Sequence, residues 1–210
     1  MTKQARGDET ALRVLEAALT CAAESGLHEI KVQELSARSG VSVGSIYHHF
    51  GSREGVVFAL YRRCLSAMLD AIAASVSKHR DAERGVRALV TSYLRWVERH
   101  QDEARVIYAF GETELVRTRG PEIAALAAEV VGPVAEWLAP HVGSGRVLGL
   151  GPGLLEIVLV GPAAEASRRI LAGAVDCSFD DAVRVLPEVT WRAVAGRPAR
   201  RRGQRVGTAT

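Results

Sequence analysis

The sequence predicts an all-α protein, with a small N-terminal unit of short helices followed by a larger helical region. Three observations carry that expectation. Apolar residues recur at i, i+3 and i+4 along almost the whole chain. Glycines fall where one helical run gives way to the next, the position best suited to a left-handed cap. The composition, 48% hydrophobic, 24% charged and 5% aromatic over 210 residues, suits a chain that buries a core of its own.

Leu12, Leu15, Leu19 and Ala22 set the stripe of a first helix, which stops at Gly26. A loop from Leu27 to Lys31 leads to a second helix, with Val32, Leu35 and Ala37 expected to point inward and Gly40 closing it. Ser42 is placed to cap a third helix, Val43 to Phe50, which Gly51 ends. Ser52 then caps a fourth, with Glu54 favourably placed in its first turn and Leu60, Cys64, Met68 and Ile72 carrying it to about Ser77.

Further helices are expected near 84–99, 103–118, 122–140, 153–172 and 179–195. The segment 153–172 is apolar nearly all round (Leu154, Leu155, Ile157, Val158, Leu159, Val160, Ala163), which marks a helix buried on more than one side. The last opens on Ser178 and Asp181 as a capping box and shows Phe179, Val183, Leu186 and Val194 on one side. Together these two suggest a dimer bundle. Pro133, Pro162 and Pro187 fall inside the proposed helices, where each removes a backbone hydrogen bond, so kinks and space between helices are expected. From Gly196 the chain is rich in Arg, Gly, Pro and Thr and is expected to be disordered.

Cys21, Cys64 and Cys177 are too few and too scattered for a disulfide framework, so a reduced, cytoplasmic setting is expected. Charges from Lys3 to Glu16 interrupt any secretory apolar core. The apolar run Val147 to Val160 is broken by glycines, Pro152 and Glu156 and falls short of the roughly 20 residues of a bilayer span, so no membrane helix is expected. Net charge is +3, but six arginines and no acid lie from Arg192 onward, and without those six the remainder carries −3. The charge is therefore a property of the tail and says little about a nucleic-acid face.

Function has to rest on a motif, and residues 31–50 supply one: Lys-Val-Gln-Glu-Leu-Ser-Ala-Arg-Ser-Gly-Val-Ser-Val-Gly-Ser-Ile-Tyr-His-His-Phe. Two short helices meet at a Gly turn, with Leu35, Val41, Ile46 and Phe50 available to hold them together. Such a helix-turn-helix seats its second helix in the DNA major groove while the first braces on the backbone.

Residues 31–57, with Gly40-Val41-Ser42, Gly44, Tyr47 and His49-Phe50, resemble the DNA-binding signature of the TetR family of bacterial regulators. Val14 to Gly26 look like that family's first helix, so the resemblance covers roughly the first 65 residues. It implies that Ser42, Val43 and Gly44 lie at the mouth of the groove with His48 nearby, and that Tyr47 sets its hydroxyl on a phosphate. Arg53 stands where the family usually has a phosphate-binding lysine, a swap that keeps the cation. Lys31 replaces the usual threonine, losing a cap and adding a cation, and Ala22 sits where an aromatic is common.

The resemblance further implies a DNA-binding domain at 7–67, a ligand-binding and dimerisation domain at 68–196 and a tail at 197–210. The expected protein is a homodimeric, non-enzymatic regulator, most simply a repressor on a palindromic operator, released by a small-molecule effector and needing no cofactor. Tyr93, Trp96, Tyr108, Phe110 and Trp137 are the aromatics that could line an effector cavity, although core packing explains each more cheaply.

Other motifs carry less. Adjacent helical residues point about 100° apart, so His48 and His49 do not readily chelate one ion, and no metal site is expected. Gly149-Leu-Gly-Pro-Gly153 has Leu154 in the third glycine position of a dinucleotide loop and reads as a loop ending at a helix with Pro152 near its start. Two rival readings stand: a helical enzyme that turns over its small molecule, and an interaction protein whose partner is another protein.

Overall fold

A computed structural model describes residues 3–196 apart from residue 112, with side chains from residue 7 onward. The expected tail, 197–210, lies outside the described residues. The helices are α1 (Lys3–Ser25), α2 (Val32–Ser39), α3 (Val43–Phe50), α4 (Arg53–Val76), α5 (Ala82–Arg99), α6 (Gln101–Phe110), α7 (Leu115–Thr118), α8 (Gly120–Gly143), α9 (Pro152–Leu171) and α10 (Phe179–Val194). A single 3-10 turn, Leu27–Glu29, joins α1 to α2. The described residues contain no strand, only an isolated bridge between Val147 and Ala195.

The caps follow the sequence. Ser42, Ser52, Asp81 and Ser178 each accept a backbone N–H at the start of their helix, and Ser178 and Asp181 form the full reciprocal box. Gly26, Gly40 and Gly51 all take positive φ. Only glycine does so without strain.

Several expectations change. Helix α1 begins well before Leu12, and its buried stripe is Val14, Ala17, Ala18 and Cys21, leaving Leu12 44% exposed. In α2 the inward residues are Val32, Leu35 and Ser39, while Ala37, two residues and therefore about 200° from Leu35, faces out. The expected helix 103–118 is two helices: the Thr113 hydroxyl and amide both bond to the Phe110 carbonyl (2.8 and 3.0 Å), diverting it from the helical ladder just past Gly111. Pro133, Pro162 and Pro187 each lie inside a continuous helix.

Three apolar clusters fill the interior. The first joins α1, α2 and α3 to the start of α4 through Val14, Leu35, Ile46 and Leu60, and reaches Val106 and Phe110 of α6. The second joins Met68, Ile72 and Val76 of α4 to Leu89, Val90 and Leu94 of α5 and to Phe179 of α10. The third packs Val86 against Leu138, Val147, Leu155, Leu159 and Val194. The expected boundary at residue 67 falls inside α4, which feeds both of the first two clusters.

Helix α9, expected to be covered on more than one side, buries Leu155, Leu159, Ala163 and Ser167 but leaves Leu154 and Ile157 53% and 65% exposed. Helix α8 is the one described helix long and apolar enough to cross a membrane by length and composition, a feature the apolar run at 147–160 did not reveal. It lies along α4, and Trp137 within it donates its indole N–H to the His79 carbonyl at 2.7 Å.

Candidate nucleic-acid interface and cavity

The turn between α2 and α3 is held from behind. Leu35 and Ile46 are fully buried, each worth roughly 1.5–3 kcal/mol relative to exposure. The Ser39 hydroxyl donates to the Leu35 carbonyl at 2.6 Å and accepts the Val41 amide at 3.2 Å. Arg13 of α1 donates to the Ser39 carbonyl, and its guanidinium lies so close that a Cβ on Gly40 would stand 2.8 Å from it. Glycine at 40 is required by its left-handed backbone, at φ 67°.

Arg38 of α2 bridges Glu24 at 2.5 Å and Glu34 at 2.9 Å. Its hydrogen bonds hold the Glu24 carboxyl below the usual carboxylate range.

The opposite side of the unit is open. Ser42, Gly44, Tyr47 and His48 are exposed, Val43 is half-buried, and α3 carries no acid. Tyr47 is 43% exposed, and its side chain stands clear of the core that Ile46 enters. Lys31 precedes α2 in extended conformation, exposed, without a side-chain cap. The rings of His48 and His49 meet edge-on at 5.7 Å, and no group of three or more metal-ligating side chains assembles among the described residues.

Arg53 is placed differently from the rest. Its Nε donates to the Ile30 carbonyl at 2.7 Å and its Nη2 to the His28 carbonyl. The guanidinium fork thereby clamps the first turn of α4 to the loop ahead of α2. Gly55 continues the clamp from within: a Cβ there would lie 1.8 Å from the Phe50 carbonyl oxygen, so α3 and α4 meet backbone to backbone.

Deeper in the chain, α4, α5, α8 and α9 line a half-open cavity of about 730 Å³, within the range of small-molecule sites. Leu65, Met68, Leu69 and Ile72 of α4 form one wall, Val131, Val134 and Leu138 of α8 another, and Leu155, Leu159 and Val160 of α9 a third. Of the five expected aromatics only Tyr93 lines it. Its hydroxyl is bonded to that of Tyr108 at 2.8 Å, and burial raises the pKa of both. Trp96 is buried and stacks on His100, Phe110 stacks on Tyr61 at 3.9 Å, and Trp137 covers Gly85. Tyr61 and Glu156 add the remaining polar side chains of the lining.

The aliphatic walls were not named from sequence because Met68 and Ile72 read there as core. The second stripe of α4, Leu65 and Leu69, was the available signal, together with Pro133 in the facing helix.

A small Gly-turned helix pair with an acid-free, exposed second helix, set on an all-helical body, is a helix-turn-helix unit. The family model of bacterial regulatory proteins, tetR family, matches residues 14–60, the N-terminal unit. The HTH-type transcriptional repressor KstR2 of Rhodococcus jostii is 29% identical over 103 residues, 46% of this chain and 50% of that relative. The HTH-type transcriptional repressor AcnR of Corynebacterium glutamicum is 37% identical over 59 residues, 28% of this chain and 31% of that relative. The chain thus spans half or less of the length of these two curated relatives. The fold extends further: FadR of Bacillus subtilis, solved in complex with stearoyl-CoA, is 17% identical with a TM-score of 0.70, covering 86% of this chain and 95% of that one.

Proposed function

We propose that the chain is a homodimeric repressor that grips a near-palindromic operator through α3 and lets go when a small molecule fills the cavity. The observation that carries this reading is the double duty of α4. Its first turn is clamped to the DNA-binding unit by Arg53 and Gly55, and its middle, Leu65 to Ile72, walls the cavity. A ligand that binds best when α4 and α8 stand further apart favours a tilt of α4, and the clamp carries the tilt to α3. Release follows if the spacing of the two recognition helices then departs from the helical repeat of DNA.

Ser42, Val43, Gly44 and His48 are the proposed base-facing residues, and Tyr47 and Lys31 the phosphate contacts. Arg53 is proposed to work mainly by holding the unit to α4. The dimer rests on α9 and α10, whose outward Leu154, Ile157, Val185 and Val189 are exposed in the single chain. A fold-mate solved with an acyl-CoA supports an effector site in this architecture.

Selection of random duplex DNA by the purified protein, followed by titration of the winner and a scrambled duplex at physiological salt, tests the reading. A palindrome bound at least about a thousandfold more tightly than the control is expected. Weak, sequence-neutral binding that disappears with salt overturns it.

A further inference from the structure

The polar groups of the cavity are few and of one sign. Its lining holds no Lys, Arg or His; the ionisable groups are Tyr61, Tyr93 and the carboxylate of Glu156. Tyr93 is turned toward Tyr108, and the Tyr61 hydroxyl is held protonated, first by burial and then by the negative charge of Glu156. Glu156 itself makes no ion pair among the described residues, unlike Glu165 on the same helix, which is bonded to both Arg168 and Arg169. Helix α9 brings Glu156, itself exposed, to the cavity wall at the flank of the buried Leu155 and Leu159.

An apolar chamber with one unpaired carboxylate disfavours anions. A carboxylate or phosphate entering it would lose hydration along the aliphatic walls, meet no cation and face the like charge of Glu156 at the solvent edge. A cation on an apolar frame gains on both counts, since its frame is buried against the aliphatic walls and its charge meets the one counter-ion available. Its charged end need not be fully dehydrated, because Glu156 lies where the lining reaches solvent.

We infer that the effector is a lipophilic cation, an apolar body with a single amine or quaternary ammonium group that pairs with Glu156. This inference rests on the effector reading above and narrows it. It sets this cavity apart from one that takes an acyl-CoA.

Three probes of equal chain length decide the matter, each titrated by calorimetry below its micelle-forming concentration: decyltrimethylammonium, decanol and decanoate. The ammonium ion is expected to bind about tenfold more tightly than decanol, and decanoate more weakly than either. Glu156→Gln should erase the preference for the ammonium ion while leaving decanol binding unchanged. If decanol binds and the ammonium ion shows no advantage, or if Glu156→Gln leaves the advantage intact, the cation proposal falls and the effector site stands. If none of the three binds, and none binds a Leu69→Ala variant with a widened chamber, both readings fall together.

Discussion

The Nε–H of Arg53, in the first turn of α4, donates to the carbonyl of Ile30 at 2.7 Å, and the same guanidinium reaches His28. An arginine at a position where the resemblance implies a phosphate contact is thus an internal brace. Lysine, a point charge on a flexible stem, has no fork with which to span two carbonyls.

Arg53→Ala should therefore lower stability by about 1–2 kcal/mol, the worth of charge-assisted hydrogen bonds at a partly exposed side chain, and weaken operator binding as well. Arg53→Lys should restore neither in full, because lysine cannot span the two carbonyls. Denaturant midpoints and duplex titrations of both variants separate the roles; unchanged stability in Arg53→Ala would return the residue to phosphate binding alone.

Tyr47 presents the opposite case, with an open side chain that stands clear of the core. Tyr47→Ala should reduce operator affinity about tenfold, with the thermal midpoint and the dimer left as they are. A variant that binds like the parent protein at physiological salt counts against the phosphate contact.

At Gly55 a methyl group would collide with the Phe50 carbonyl oxygen, a backbone atom that cannot turn aside. Gly55→Ala is expected to cost about 1–3 kcal/mol, as overpacking does, and to loosen the join between α3 and α4. Urea unfolding reads the first effect. Faster amide hydrogen exchange across α3 reads the second, and normal protection there would mean the helices separate without loss.

Ile157 is 65% exposed on α9, and Val185 is 52% exposed on α10. If they meet a second copy, Ile157→Glu buries an unpaired charge in each half of the interface and should shift sedimentation from dimer to monomer at micromolar concentration. Operator affinity should fall with it, because two half-sites are no longer held together. A dimer that persists places the interface elsewhere.

The N-terminal unit was legible because its rules are local. Gly40, Ser42, Gly51 and Ser52 punctuate the helices through their own backbone angles and hydroxyls, and Leu35 and Ile46 follow from helical period alone. The misplacement of Ala37 shows the limit even there, since one step in register moves a residue about 100° around the helix. The aromatic residues were a poorer guide: Tyr93 lines the cavity, whereas Trp96, Tyr108, Phe110 and Trp137 fill gaps between helices.

By itself the sequence determined the all-helical class, the capping scheme and the recognition motif, all of which depend on neighbours within a turn or two. Only the tertiary structure decided that Arg53 braces Ile30, that Leu65 to Ile72 face a chamber and that Glu156 enters its wall unpaired. Those relationships join residues from 23 to about 90 positions apart, and helix packing, to which no local spacing is sensitive, sets which of them meet.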